Sequence, residues 1–322
     1  MKSPFLSVFK FLLFVAFFFG CSDSIKWTMV HGGENVGSIL GSVYFFDDKS
    51  GILSTTFDLF RTNDGGTTLE RLDELPEMTF DSIYFDTQGF GWIVGGTSQS
   101  PKILRSADMG RTWATVPLET DGSEELDTSR FSRFFDICIG ANGLGWIAGD
   151  KGVVGIFFEN DRLIASKSFY FPHSIFSITC TGAKSFAAGQ NGTILSYNGE
   201  WKEERLGADV TFTRIRVIED QIWVVGGNST KGVVFSRSET DGKWLDRSPR
   251  TSSIVFDITP TNQQILLAGA NGLLLGSSNL GDSWESLDIR PQGDLSRIFC
   301  SDSNCWVIGD RLSIFRSEFY RK

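Results

Sequence analysis

Along the chain, runs of four to seven apolar and β-branched residues alternate with short clusters of Gly, Asp, Asn and Ser. This spacing predicts short strands joined by tight turns. Apart from the first twenty residues, no apolar stretch is long enough to span a bilayer. The runs repeat. A tight motif recurs as Gly91-Trp92-Ile93-Val94-Gly95, Gly145-Trp146-Ile147-Ala148-Gly149, Ile222-Trp223-Val224-Val225-Gly226 and Cys305-Trp306-Val307-Ile308-Gly309. Weaker copies are Ser185-Phe186-Ala187-Ala188-Gly189, Ile265-Leu266-Leu267-Ala268-Gly269 and Gly51-Ile52-Leu53-Ser54. The seven copies lie roughly forty residues apart, the period of a four-stranded propeller blade. One interval is longer, between the copies at Trp92 and Trp146.

A second element follows most copies. Ser106-Ala107-Asp108-Met109-Gly110-Arg111-Thr112-Trp113 is the fullest instance, with relatives at Thr62–Leu69 and Ser277–Trp284 that contain Asp64, Gly66, Asn279, Gly281 and Trp284. Asp or Asn caps its own backbone in such a turn, and Gly supplies positive φ. Each repeat therefore reads as four strands, A to D, with the Gly-Trp motif in strand B and the Asp-Gly turn between C and D. The last repeat lacks its fourth strand. Ile25–Val30 supplies one, so the chain is expected to close a ring of seven blades, all-β and antiparallel, with its own N-terminus.

These residues resemble the S-x-D-x-G-x-T-W Asp-box, also called the BNR repeat. Together with the Gly-Trp motif at this period, they are similar to the photosystem II stability/assembly factor-like propellers. That resemblance implies a non-catalytic scaffold that binds protein or assists complex assembly, with no cofactor and with arginines that dock a protein client. It also makes the Asp-box residues structural.

Residues 1–20 combine Lys2 with an apolar run from Phe11 to Phe19 and end before Gly20-Cys21. The segment resembles a bacterial lipoprotein signal, with Cys21 the lipidated residue and residues 21–322 the propeller domain. Acyl chains on Cys21 would hold an acidic body on a membrane of the bacterial cell envelope, facing the periplasm or the exterior. The signal contains two lysines and no acidic residue, so the remainder is more acidic than the whole chain's formal −9. That balance excludes a nucleic-acid partner. Two histidines and no CxxC or HExxH leave no metal site to expect.

Cys300 and Cys305 bracket a turn and are expected to form a disulfide in an exported protein, whereas Cys138 and Cys180 are read as unpaired thiols. All nine tryptophans fall in strands B and D, which assigns them to packing. Arg133, Arg214 and Arg297 each open a strand A and should meet at the mouth of the central channel. The long interval becomes an acidic D–A loop, Pro117 to Ser132, in which Glu124 and Glu125 are partner-binding candidates. A protein partner and a monomeric ring are expected. The competing reading is a sialidase-like glycoside hydrolase, since Asp-boxes occur there too. Such an enzyme needs positioned carboxylates, or a Tyr nucleophile with three arginines; no tyrosine here has an evident acidic partner.

Overall fold

The computed structural model describes residues 26–33, 40–86, 88–97, 99–120, 128–140, 143–159, 162–207, 209–239 and 242–318. Cys21, Glu124 and Glu125 lie outside them. Seven antiparallel sheets follow one another around a ring. Their A strands are Leu40–Phe45, Thr79–Phe85, Phe134–Ile139, Ile175–Thr181, Thr211–Ile218, Val255–Pro260 and Leu295–Cys300, for blades 1 to 7. Each continues outward through strands B and C to D. In blade 7 strand D is Lys26–His31, which pairs with Ser313–Glu318 from the far end of the chain. The N-terminal strand therefore closes the ring.

A single blade cannot bury both faces of its sheet, so neighbours must cover them. Seven apolar clusters do this, one between each adjacent pair of blades. The Gly-Trp motif explains the packing. Trp92, Trp146, Trp223 and Trp306 are buried against the next blade, and Trp306 stacks on Phe45 at 3.8 Å between centroids. Its Nε1 donates to the Gly65 carbonyl at 2.9 Å, joining blade 7 to blade 1. The closing glycine of the motif has a separate cause: a Cβ at Gly95 would overlap the Thr79 carbonyl at the start of strand A. Trp113, Trp244 and Trp284 lie one residue before short D strands and pack partly buried on the inter-blade clusters.

The three Asp-Gly turns share one hydrogen-bond scheme. Gly110 N donates to Ser106 Oγ at 2.8 Å, and Thr112 N and Oγ1 donate to Asp108 at 2.9 and 2.7 Å. Gly66 N donates to Thr62 and Thr68 N to Asp64, as Gly281 N does to Ser277 and Ser283 N to Asn279. The Thr68 backbone N–H is the main reason Asp64 titrates below the ordinary carboxylate range. These side chains are consumed within their own turns. Trp113 Nε1 donates to Gly110, whereas Trp284 Nε1 reaches back to the Arg247 carbonyl.

Two expectations are corrected. Cys138 and Cys180 are not free thiols: they form a disulfide linking strand A of blade 3 to strand A of blade 4. Adjacent A strands run side by side around the axis, which brings residues one repeat apart into range. Closing a loop of this length contributes about 4 kcal/mol on the chain-entropy model. Cys300 and Cys305 are bonded across their hairpin. The segment from Pro117 is also not wholly loop: Leu118–Thr120 adds a fifth strand, parallel to Arg162–Tyr170, along the outer edge of blade 3. Glu119 pairs there with Arg162. An otherwise open edge is thereby covered.

Trp146 packs on Tyr197 and Trp201, with centroids 4.7 and 4.9 Å away, and is the clearest test of the inter-blade layer. Trp146→Ala is expected to lower stability by about 3–5 kcal/mol in denaturant unfolding. A midpoint equal to the parent's would place this side chain outside the core.

Candidate functional site: the central channel

Strand A carries a feature that repeats in every blade. Its pairing to strand B slips once, between Leu40 and Ser42, Phe80 and Ser82, Phe134 and Asp136, Ile175 and Ser177, Phe212 and Arg214, Val255 and Asp257, and Leu295 and Arg297. A bulge of this kind leaves one residue out of the ladder and turns the strand. The residue after each bulge is polar, and most of the seven side chains are buried: Ser42, Ser82, Asp136, Ser177, Arg214 and Asp257. Together with Arg297 they line the waist of a channel of about 450 Å³.

This ring is bonded from blade to blade. Ile83 N donates to Ser42 Oγ at 3.1 Å, Ile178 N to Asp136 Oδ2 at 3.1 Å, and Ile298 N to Asp257 Oδ2 at 2.9 Å. In each case a side chain of one blade receives a backbone N–H from the next. Asp136 also accepts from Ser82 at 2.8 Å and Ser177 at 3.0 Å. Arg214 joins the two carboxylates, with Nη1 3.0 Å from Asp136 and Nε 3.3 Å from Asp257. Arg216 Nη2 stands 3.5 Å from the same Asp257 oxygen, Oδ1.

The electrostatics follow from this geometry. Burial works against ionisation of Asp257, but Arg216, Arg214 and Arg297 outweigh it and hold the carboxyl below its ordinary range. Burial likewise opposes the charge on Arg214, and Asp257 and Asp136 overcome it. For Arg297 the balance is reversed: burial, then the neighbouring Arg214, push it down to about 10.

The three arginines are thus not equivalent. Arg214 sits in the waist of the channel, and Arg297 lines both the waist and the pocket at the mouth. Arg133 precedes the bulge of its strand and does lie at the mouth, where its Nε donates to Asp81 at 2.8 Å. It shares a shallow pocket with Asp81, Phe256, Ser296 and Arg297. Its guanidinium also lies 5.5 Å from the Phe135 ring centre, and Phe135 meets Phe176 edge-on at 5.0 Å. The mouth combines the partly exposed Arg133–Asp81 ion pair with half-buried aromatic rings. This face carries the D–A and B–C loops, while the Asp-Gly turns occupy the other.

Sequence reasoning missed Asp136, Asp257, Arg216 and the phenylalanines. The signal was present in the strand-A segments Phe134-Phe135-Asp136-Ile137, Phe212-Thr213-Arg214-Ile215 and Val255-Phe256-Asp257-Ile258. A polar residue recurs at one register inside an otherwise apolar strand.

A general acid needs a raised carboxyl pKa, and Asp257 is lowered. Burial, with Asp86 adding to it, raises the phenols of Tyr44 and Tyr84 above the ordinary tyrosine value, the wrong direction for a nucleophile. Among the described residues no group of three His, Cys, Asp or Glu side chains could hold a metal ion.

No protein-family model matches the chain. It is 26% identical over 298 residues to the photosystem II assembly lipoprotein Ycf48 of Synechococcus sp. (strain CC9902), covering 85% of this chain and 83% of that one. A solved structure described as YCF48 bound to D1 peptide superposes with a TM-score of 0.68 at 19% identity, over 92% of this chain and 96% of that one. The same fold is shared with virginiamycin B lyase from Staphylococcus aureus, with a TM-score of 0.70 at 14% identity, over 92% and 100% of the two chains.

Because the folded-state pKa of Asp257 is depressed, its stabilising contribution is complete above the unfolded carboxylate value of about 3.9 and is lost as pH falls through the folded value. Asp257→Asn is expected to cost about 3–5 kcal/mol at pH 7, since it leaves Arg214 and Arg216 short of counter-charge. The difference in Tm between parent and variant should narrow on acidification from about pH 5 toward pH 3. A pH-independent difference would show that the pairing does not depend on the charge of Asp257.

Proposed function

We propose that this chain is a non-catalytic protein-binding scaffold for complex assembly, similar in role to the photosystem II assembly lipoprotein it resembles. Cys21 carries the lipid that holds it to a membrane of the bacterial cell envelope. One observation carries the reading: the channel carboxylates are engaged internally, whereas the mouth presents the partly exposed Arg133, paired with Asp81, beside the half-buried rings of Phe135, Phe176 and Phe256. Aromatic rings and arginine are the side chains that anchor protein partners. Likeness to Ycf48 over most of both chains supports a polypeptide client, because a protein of that name and the same fold is described as bound to a peptide. The Asp-box, or BNR, reading of the Asp-Gly turns agrees, for their side chains are occupied in holding the turns.

Two measurements test this. Cross-linking in native membranes followed by mass spectrometry should identify a client, and Arg133→Glu should reduce its yield by about fivefold, the weight of one exposed charged contact near 1 kcal/mol. Equal yields from a variant with the parent's Tm would reject the mouth as the docking surface. Cys21→Ser should move the protein from the detergent phase to the aqueous phase on detergent partitioning. Retention in the detergent phase would reject the lipid anchor.

A further inference from the structure

The charged residues lining the channel do not balance. Arg214, Arg216 and Arg297 face Asp136 and Asp257, three positive groups against two negative. Both carboxylates are already committed. Asp136 accepts from Ser82, Ser177, the backbone of Ile137 and Ile178, and Arg214. Asp257 accepts from the backbone of Ile258 and Ile298 and attracts Arg214 and Arg216. Arg297 is left with one hydrogen bond, from Nη1 to the Ser296 carbonyl at 2.8 Å. Its Nε is closed off from solvent without an acceptor, as is that of Arg216, whereas Arg214 Nε faces Asp257 at 3.3 Å.

An unbalanced cation with unused donors is costly wherever water is largely excluded. Here the surplus borders open space: Arg297 lines both the channel cavity and the shallow pocket at the mouth. Planar guanidinium groups match the oxygens of carboxylate, sulfate or phosphate, each offering paired donors. We infer that the waist of the channel binds a small free oxyanion, held by Arg297 and Arg216 with Arg214 behind them. The site stands on the charge count and the unfilled donors, so it holds or fails independently of the client-binding reading.

The test uses the full chain in chloride buffer, with sodium sulfate, phosphate or acetate replacing chloride at constant ionic strength. Millimolar oxyanion should raise the Tm by about 3 °C or more over the chloride control. Acetate against sulfate separates a carboxylate site from a tetrahedral one. Arg297→Met should abolish the rise, and in chloride it should melt no lower than the parent, because it removes an uncompensated charge. Should that variant not fold, Arg216→Gln, at a more exposed position, should weaken the affinity measured calorimetrically about tenfold, the weight of one charge-assisted pair. A parent that responds to oxyanions no more than to chloride would overturn the site. So would Arg297→Met or Arg216→Gln responding as the parent does.

Discussion

Seven sheets arranged around an axis bring their innermost strands close together, and the backbone of those strands must find partners where no further strand can lie. Everything else in this propeller depends on how that is met. Each A strand bulges at one register, and the side chain that follows the bulge lines the channel. Three of the side chains placed there, Ser42, Asp136 and Asp257, accept an N–H group from the neighbouring blade, so unpaired backbone at the axis becomes a bond between blades. Serine serves as a short acceptor. Aspartate serves with two oxygens, but its charge then requires a cation, and Arg214 spans Asp136 and Asp257. The polar waist is a consequence of closing the ring.

The outer layers answer a different need. In four blades a tryptophan of strand B fills the wedge between blades, and the glycine that closes six of the seven motifs lets strand B approach the start of strand A. At the blade 7 to blade 1 junction this packing is reinforced by polar contacts. Ser303 donates to Asp48 at 3.0 Å across the ring closure, and Trp306 donates to Gly65. The Cys138–Cys180 bridge adds a covalent link between the A strands of blades 3 and 4. The result is a rigid annulus whose two faces differ: one carries the self-contained Asp-Gly turns, the other the channel mouth with Arg133 and its aromatic neighbours.

The repeat made the ring legible before any coordinates. Seven copies of the strand-B motif, four of them with Trp, the Asp-Gly turns and the orphan strand at Ile25–Val30 determined blade number, strand order and the mode of closure, because each expresses a local requirement: an apolar wedge, a positive φ, a missing ladder. The role of every tryptophan as packing followed in the same way. The ring is what turned these local elements into contacts between residues far apart in the chain. Cys138 and Cys180 became partners only because consecutive A strands lie side by side. Arg214 lies in the waist and not at the mouth because the bulge sets which way the next side chain points. The fifth strand at Leu118–Thr120 formed because blade 3 offered an edge to pair with. Periodicity is a property of one blade and can be read along the chain; the charge balance of the channel is a property of seven blades meeting at an axis, and it exists only once they have closed.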